Sequence, residues 1–167
     1  MNSPAIEVII WDPVGYGASS MGHVSVNITR NKATTSYSLA PGGCDVKASE
    51  EYLGANTKFR TGYGLTLRLT DEQADAVAQF FEKKDWCDYS LLNHNCTAPI
   101  QEALQAAGMK LTGNPIFPRA LGLSLWNNGF VRSVMRYDGP KSQRIFVPPW
   151  SNTRPGSYPW ERSVAPP

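Results

Sequence analysis

Residues 22–40 read Gly22-His23-Val24-Ser25-Val26-Asn27-Ile28-Thr29-Arg30-Asn31-Lys32-Ala33-Thr34-Thr35-Ser36-Tyr37-Ser38-Leu39-Ala40. Apolar and polar residues alternate on both sides of Asn31-Lys32, and this is the period of a half-buried strand. Asn31-Lys32 is then a two-residue hairpin turn. That turn fixes a register in which paired residue numbers sum to 63. Ser25 faces Ser38, Asn27 faces Ser36 and His23 faces Ala40, while Val24, Val26 and Ile28 share a face with Leu39, Tyr37 and Thr35. The apolar set is coherent only in this register, because a slip of one residue would turn it to the other side. The opposite face carries a polar strip of His23, Ser25, Asn27, Ser36 and Ser38. Such a strip is odd in a small sheet unless it faces water or lines a site.

Outward from the hairpin, residues 5–11 and 64–69 read as further strands, and Pro41-Gly42-Gly43 ends the second arm. Thr70-Asp71-Glu72-Gln73 is a capping box that opens a helix running to about Lys84, with Ala74, Val77, Phe80 and Phe81 on its inner face. A second helix starts near Cys96, carries Pro99 in its first turn and ends at Gly108. Ile100, Ala103, Leu104 and Ala107 form its buried stripe. Residues 118–135 read as a less regular helical stretch broken around Asn127-Asn128-Gly129, and residues 143–147 as a last strand. Strands followed by helices make an α+β arrangement, an antiparallel sheet packed against a helix that bears Cys96. The expected organisation is one domain over residues 1–147 and a Pro/Trp-rich tail over residues 148–167 without a core of its own.

Bulk composition narrows the function. The net charge is +2 and no basic stripe stands out, so nucleic acid is not expected as a partner. No apolar run approaches a membrane span, so stable membrane insertion is not expected. Val8-Ile9-Ile10-Trp11 is too short for a signal-peptide core, and no basic residue precedes it. The expectation is a chain made in the cytoplasm without a standard cleaved signal. Cys44, Cys87 and Cys96 are too few for a disulfide scaffold, and three reduced thiols are the default. A Cys44–Cys87 bridge that leaves Cys96 free is the alternative in an oxidising compartment. Two histidines and scattered cysteines supply too few ligands for zinc, and neither a metal nor another cofactor is expected.

The segment Leu91-Leu92-Asn93-His94-Asn95-Cys96-Thr97-Ala98-Pro99 ends an apolar run in capping residues and places a thiol directly after them. Unpaired N–H groups at a helix start favour a thiolate, which is the nucleophilic form. If the helix start packs on the polar strip, His23 comes to Cys96 and can take its proton. A third polar group then orients the imidazole; Ser38, diagonal to His23, is the candidate, with Ser36, Ser25 and Asn27 as rivals. Backbone N–H groups near Cys96, with Asn93 or Asn95, would hold the oxyanion. Bland alternatives stand beside each of these. A strand histidine is usually solvated or hydrogen-bonded, a cysteine at a helix start is usually a small buried hydrophobe, and Asn93 and Asn95 are most simply caps. His94 flanks the cap and is assigned a surface or capping role.

The motifs Gly22-His23-Val24-Ser25-Val26, Tyr37-Ser38-Leu39 and Tyr89-Ser90-Leu91-Leu92-Asn93-His94-Asn95-Cys96-Thr97 resemble the circularly permuted branch of the papain-like NlpC/P60 superfamily. Residues 107–121 resemble the segment that follows the nucleophile helix there. The resemblance implies a permuted papain-like fold and a cysteine hydrolase, with Cys96 as nucleophile and His23 as base. It places the third member on the strand after the histidine, at Ser36 or Ser38, where a serine departs from the more usual His, Asn or Gln. Members include peptidoglycan endopeptidases and amidases, among them type VI secretion effectors that act in the periplasm of a target bacterium and are met by an immunity protein. Permuted relatives include lipid acyl hydrolases and acyltransferases. The leading expectation is therefore an antibacterial toxin that hydrolyses amide bonds in peptidoglycan stem peptides. A lipid-directed thiol esterase or acyltransferase is the second, and a catalytically idle binding module the third. Trp126, Phe130, Trp150 and Trp160 serve either packing or apolar acyl chains, and packing is the simpler role.

Overall fold

A computed structural model describes residues 3–14, 21–139 and 158–160. The hairpin comes first in its logic. Strands β2 (His23–Arg30) and β3 (Ala33–Ala40) pair antiparallel with Ser25 opposite Ser38 and Asn27 opposite Ser36, the register expected from the alternation. Asn31 and Lys32 both have positive φ (49° and 69°), the backbone of a primed two-residue turn whose twist matches its strands. Strand β1 (Ala5–Trp11) pairs with the other edge of β2, β4 (Gly43–Ala48) pairs with β3, and β5 (Gly62–Leu67) pairs with β1. The last strand, β6 (Val131–Tyr137), completes a six-stranded antiparallel sheet of order β4-β3-β2-β1-β5-β6.

Four helices cover the sheet. On one face, helices α2 (Asp71–Lys83), α3 (Ala98–Ala106) and α4 (Pro118–Asn127) bury Phe81, Leu104, Leu121 and Leu125 against Val8, Val24, Val26 and Leu65. The capping box of α2 is present in full, with the Gln73 N–H donating to the Thr70 hydroxyl and the Thr70 N–H donating to the Gln73 side chain. On the other face, helix α1 (Ser49–Asn56) packs over β3 and β4, and its Tyr52 meets Ile9 and Trp11. The fold is α+β, as expected, with no helix among the described residues long and apolar enough to cross a membrane.

Several elements differ from expectation. β3 ends at Ala40 as expected, but Pro41-Gly42 turns the chain into two unexpected elements, β4 and α1. Residues 118–135 are not one interrupted helix. The chain leaves α4 at Asn127, turns through Gly129 at φ 73° and returns as edge strand β6. The expected strand at residues 143–147 lies outside the described residues. Of the tail, Tyr158 and Trp160 are buried in the same core as α4, and Tyr158 stacks on Trp160 at 4.5 Å. Gly122 permits this, since a Cβ there would stand 2.9 Å from both the Trp160 ring and Ile10. Trp126 also lies against Trp160, so these two indoles pack; Trp150 lies outside the described residues.

Candidate functional site

The polar strip does not face water. It lies under α1, and Ser25, Asn27, Ser36 and Ser38 are all buried. Burial of so many polar atoms requires partners, and the neighbouring strand supplies them. Ser25 accepts from the Trp11 indole N–H at 2.9 Å. Asn27 donates to Glu7 at 2.9 Å and accepts from the Ser36 hydroxyl, and the Tyr137 hydroxyl donates to the same carboxylate. Gly64 gives that carboxylate its room, because a Cβ there would overlap Glu7. All three rivals of Ser38 (Ser25, Asn27 and Ser36) are thus committed to structure, and burial raises the Glu7 pKa.

His23 and Ser38, at the end of the strip, reach a cavity of about 200 Å³ together with Cys96, Tyr52, Arg60 and Tyr89. Gly22 lets the chain enter β2 there, at φ 91° and with Trp11 O only 2.9 Å from where a Cβ would be. Cys96 lies at the start of β2, where the Val24 N–H and its own N–H favour its thiolate form. The Tyr52 phenol interacts with Ser38 and Ser25, so the expected orienting serine serves α1 as well as the cavity. The structure therefore brings Cys96, His23 and Ser38 to one cavity.

The remaining expected residues sit elsewhere. Asn93 is exposed and turned to a separate hollow with Leu92 and Gln101. Asn95 accepts from the Thr97 N–H at 3.0 Å and the Thr97 hydroxyl at 2.8 Å, and donates to Ile116 O at 2.9 Å. Its amide is spent on the turn that precedes α3, and it does not line the cavity. His94 is held by Asp88 O through one ring nitrogen and by Glu102 at 3.0 Å through the other.

Electrostatics correct the expected thiolate. Helix α3 begins at Ala98, two residues after Cys96, so the thiol precedes the first turn and receives little of the dipole. Burial pushes the Cys96 pKa up to about 11, against the pull of the Val24 N–H, its own N–H and Arg60. His23 is pulled down to about 3, first by burial and then by the Arg60 charge. The site thus holds a neutral thiol and a neutral imidazole. Burial also raises the Tyr89 pKa, with Cys96 adding to it, so its hydroxyl keeps its proton and can donate.

Arg60, Tyr52 and Asn56 also line the cavity, and nothing in Tyr52-Leu53-Gly54-Ala55-Asn56 or in Lys58-Phe59-Arg60 marks a site. Asn56 accepts twice from Arg60, at Nε (3.1 Å) and Nη2 (2.5 Å). The guanidinium also lies 5.4 Å from the Trp11 ring and 4.9 Å from the Phe59 ring. Cys44 and Cys87 are joined in a disulfide, which replaces the default of three reduced thiols and leaves Cys96 free. The bridge ties edge strand β4 to the segment after α2, next to two cavity residues, Asp45 and Tyr89.

No family model, curated protein or solved structure matches the chain.

Proposed function

We propose that the chain is a cysteine hydrolase of the permuted papain-like kind that cleaves amide bonds in peptidoglycan stem peptides, as an antibacterial effector acting in the periplasm. One observation carries this reading. The free thiol and the His23 imidazole line one cavity.

The two groups start uncharged, so proton transfer accompanies attack and does not precede it. As Sγ bonds to the scissile carbonyl carbon, its proton passes to His23 and the negative charge passes to the carbonyl oxygen. Tyr89 is the protonated donor in the cavity that can meet this oxyanion. Collapse of the tetrahedral intermediate breaks the C–N bond, and His23 returns the proton to the leaving amine. Water then attacks the thioester, giving its proton to His23, and releases the acid and the thiol. Ser38, which lines the same cavity, is the residue assigned to steady the ring.

A second reading, a lipid-directed thiol esterase or acyltransferase, has its own support. Leu91 and Leu92 are 62% and 84% exposed in the turn that leads to Cys96. Exposed leucines beside a nucleophile suit an acyl chain or a membrane surface. The small cavity, lined by His23, Ser38, Asp45, Asn56 and Arg60, favours the polar peptide. Pure protein incubated with peptidoglycan and with phospholipid vesicles separates them. Cleaved muropeptides from the wild type and none from Cys96→Ala support the amidase. Intact walls with accumulating fatty acid or lysophospholipid transfer the assignment to the lipid reading.

A further inference from the structure

Arg60 is a buried cation that the chemistry above leaves unused. It is 4% exposed and lines the cavity with Cys96 and His23. Nε and Nη2 are satisfied by Asn56, while Nη1 is buried with no hydrogen-bond partner. None of the ion pairs among the described residues includes it. The carboxylate that shares the cavity, Asp45, is held by Lys47 at 3.1 Å. Burial lowers the Arg60 pKa to about 10, with Tyr52, Cys96 and Asp12 opposing, so the group stays charged at neutral pH. A buried guanidinium is ordinarily paired with an anion, because desolvation otherwise goes uncompensated. The planar guanidinium lines the cavity without an anion of its own, and its fork matches a carboxylate geometrically.

We propose that Arg60 forms a carboxylate-binding subsite beside Cys96, so that the cavity takes an acyl donor bearing a free carboxylate close to the scissile carbonyl. The position relative to the scissile bond rests on Cys96 being the nucleophile; the capture of the anion does not. A cavity of about 200 Å³ admits a short carboxylate-bearing group. A phosphodiester from a lipid headgroup is the other oxyanion to separate from it.

The test follows alkylation of Cys96 by iodoacetamide in the full chain at constant ionic strength, with succinate, its neutral isostere succinamide, or diethyl phosphate added. Succinate is expected to slow labelling saturably, by about fivefold or more, while succinamide and diethyl phosphate leave it unchanged. Arg60→Gln, with its fold checked by circular dichroism, should lose the protection. If that variant does not fold, the contrast between succinate and succinamide in the wild type decides. Equal protection by succinamide, protection by diethyl phosphate alone, or none at all overturns the subsite. Protection by succinate without any turnover of peptidoglycan would leave the subsite standing and sink the amidase reading.

Discussion

His23 and Cys96 are each held in the uncharged form, and that has consequences for pH. The folded thiol titrates near 11 against an ordinary 9, so the unfolded chain loses its proton first as pH rises. Stability from this group is therefore full below pH 9 and falls between 9 and 11. The imidazole runs the other way. Its folded pKa near 3 lies below the ordinary 6.5, so its contribution is present above pH 6.5 and is lost as pH falls toward 3. Urea unfolding from pH 7 to pH 4 should show a decline on the order of a few kcal/mol, and His23→Asn should flatten it. An unchanged slope in that variant would place the acid-labile group elsewhere. Reactivity gives a second check. With the disulfide intact, only Cys96 should react with iodoacetamide, and its rate should climb about tenfold per pH unit toward a plateau near 11. A plateau near pH 5 would show a preformed thiolate–imidazolium pair instead.

Among the elements, the hairpin, α2 and α3 were legible because each carries a local signal. These are strict alternation around Asn31-Lys32, the Thr70–Gln73 box, and a stripe closed by Gly108. Strand β4 and helix α1 carry none. Every residue of β4 but the exposed Ala48 is half-buried, so no face stands out, and α1 is short, lacks an apolar stripe and contains Gly54. Both are held by other elements, β4 by its pairing with β3 and the Cys44–Cys87 bridge, and α1 by Tyr52 on Trp11. Three site residues come from these poorly marked stretches (Asp45, Tyr52 and Asn56), as does Arg60 just beyond α1. That is why the sequence pointed to the thiol and the imidazole but not to the groups that surround them. The bridge closes a loop of 43 residues, so Cys44→Ser with Cys87→Ser should cost about 2–4 kcal/mol in chemical denaturation. Loss of less than about 0.5 kcal/mol would mean that β4 is held by its strand pairing alone.

At the scale of the whole molecule, one sheet separates two environments. The valine-rich face and helices α2, α3 and α4 form the apolar core, and the α1 side holds the polar network and the cavity. Trp160 joins the far tail to that core without any exposure. Trp160→Ala should therefore cost about 3–5 kcal/mol and lower the Tm by roughly 10 °C in calorimetry, whereas a tail of no structural weight would leave it unmoved. The central claim, that Cys96 and His23 act as one unit, is tested most directly by the rate at which new amine termini are released from purified peptidoglycan. Wild type, Cys96→Ala, His23→Ala, their double variant and His94→Ala are to be compared. Residues acting as a unit lose activity together, so the first three variants should be equally inactive and the double no worse than either single. His94→Ala should keep most of its activity. Turnover that survives His23→Ala but is lost in His94→Ala would contradict the pairing.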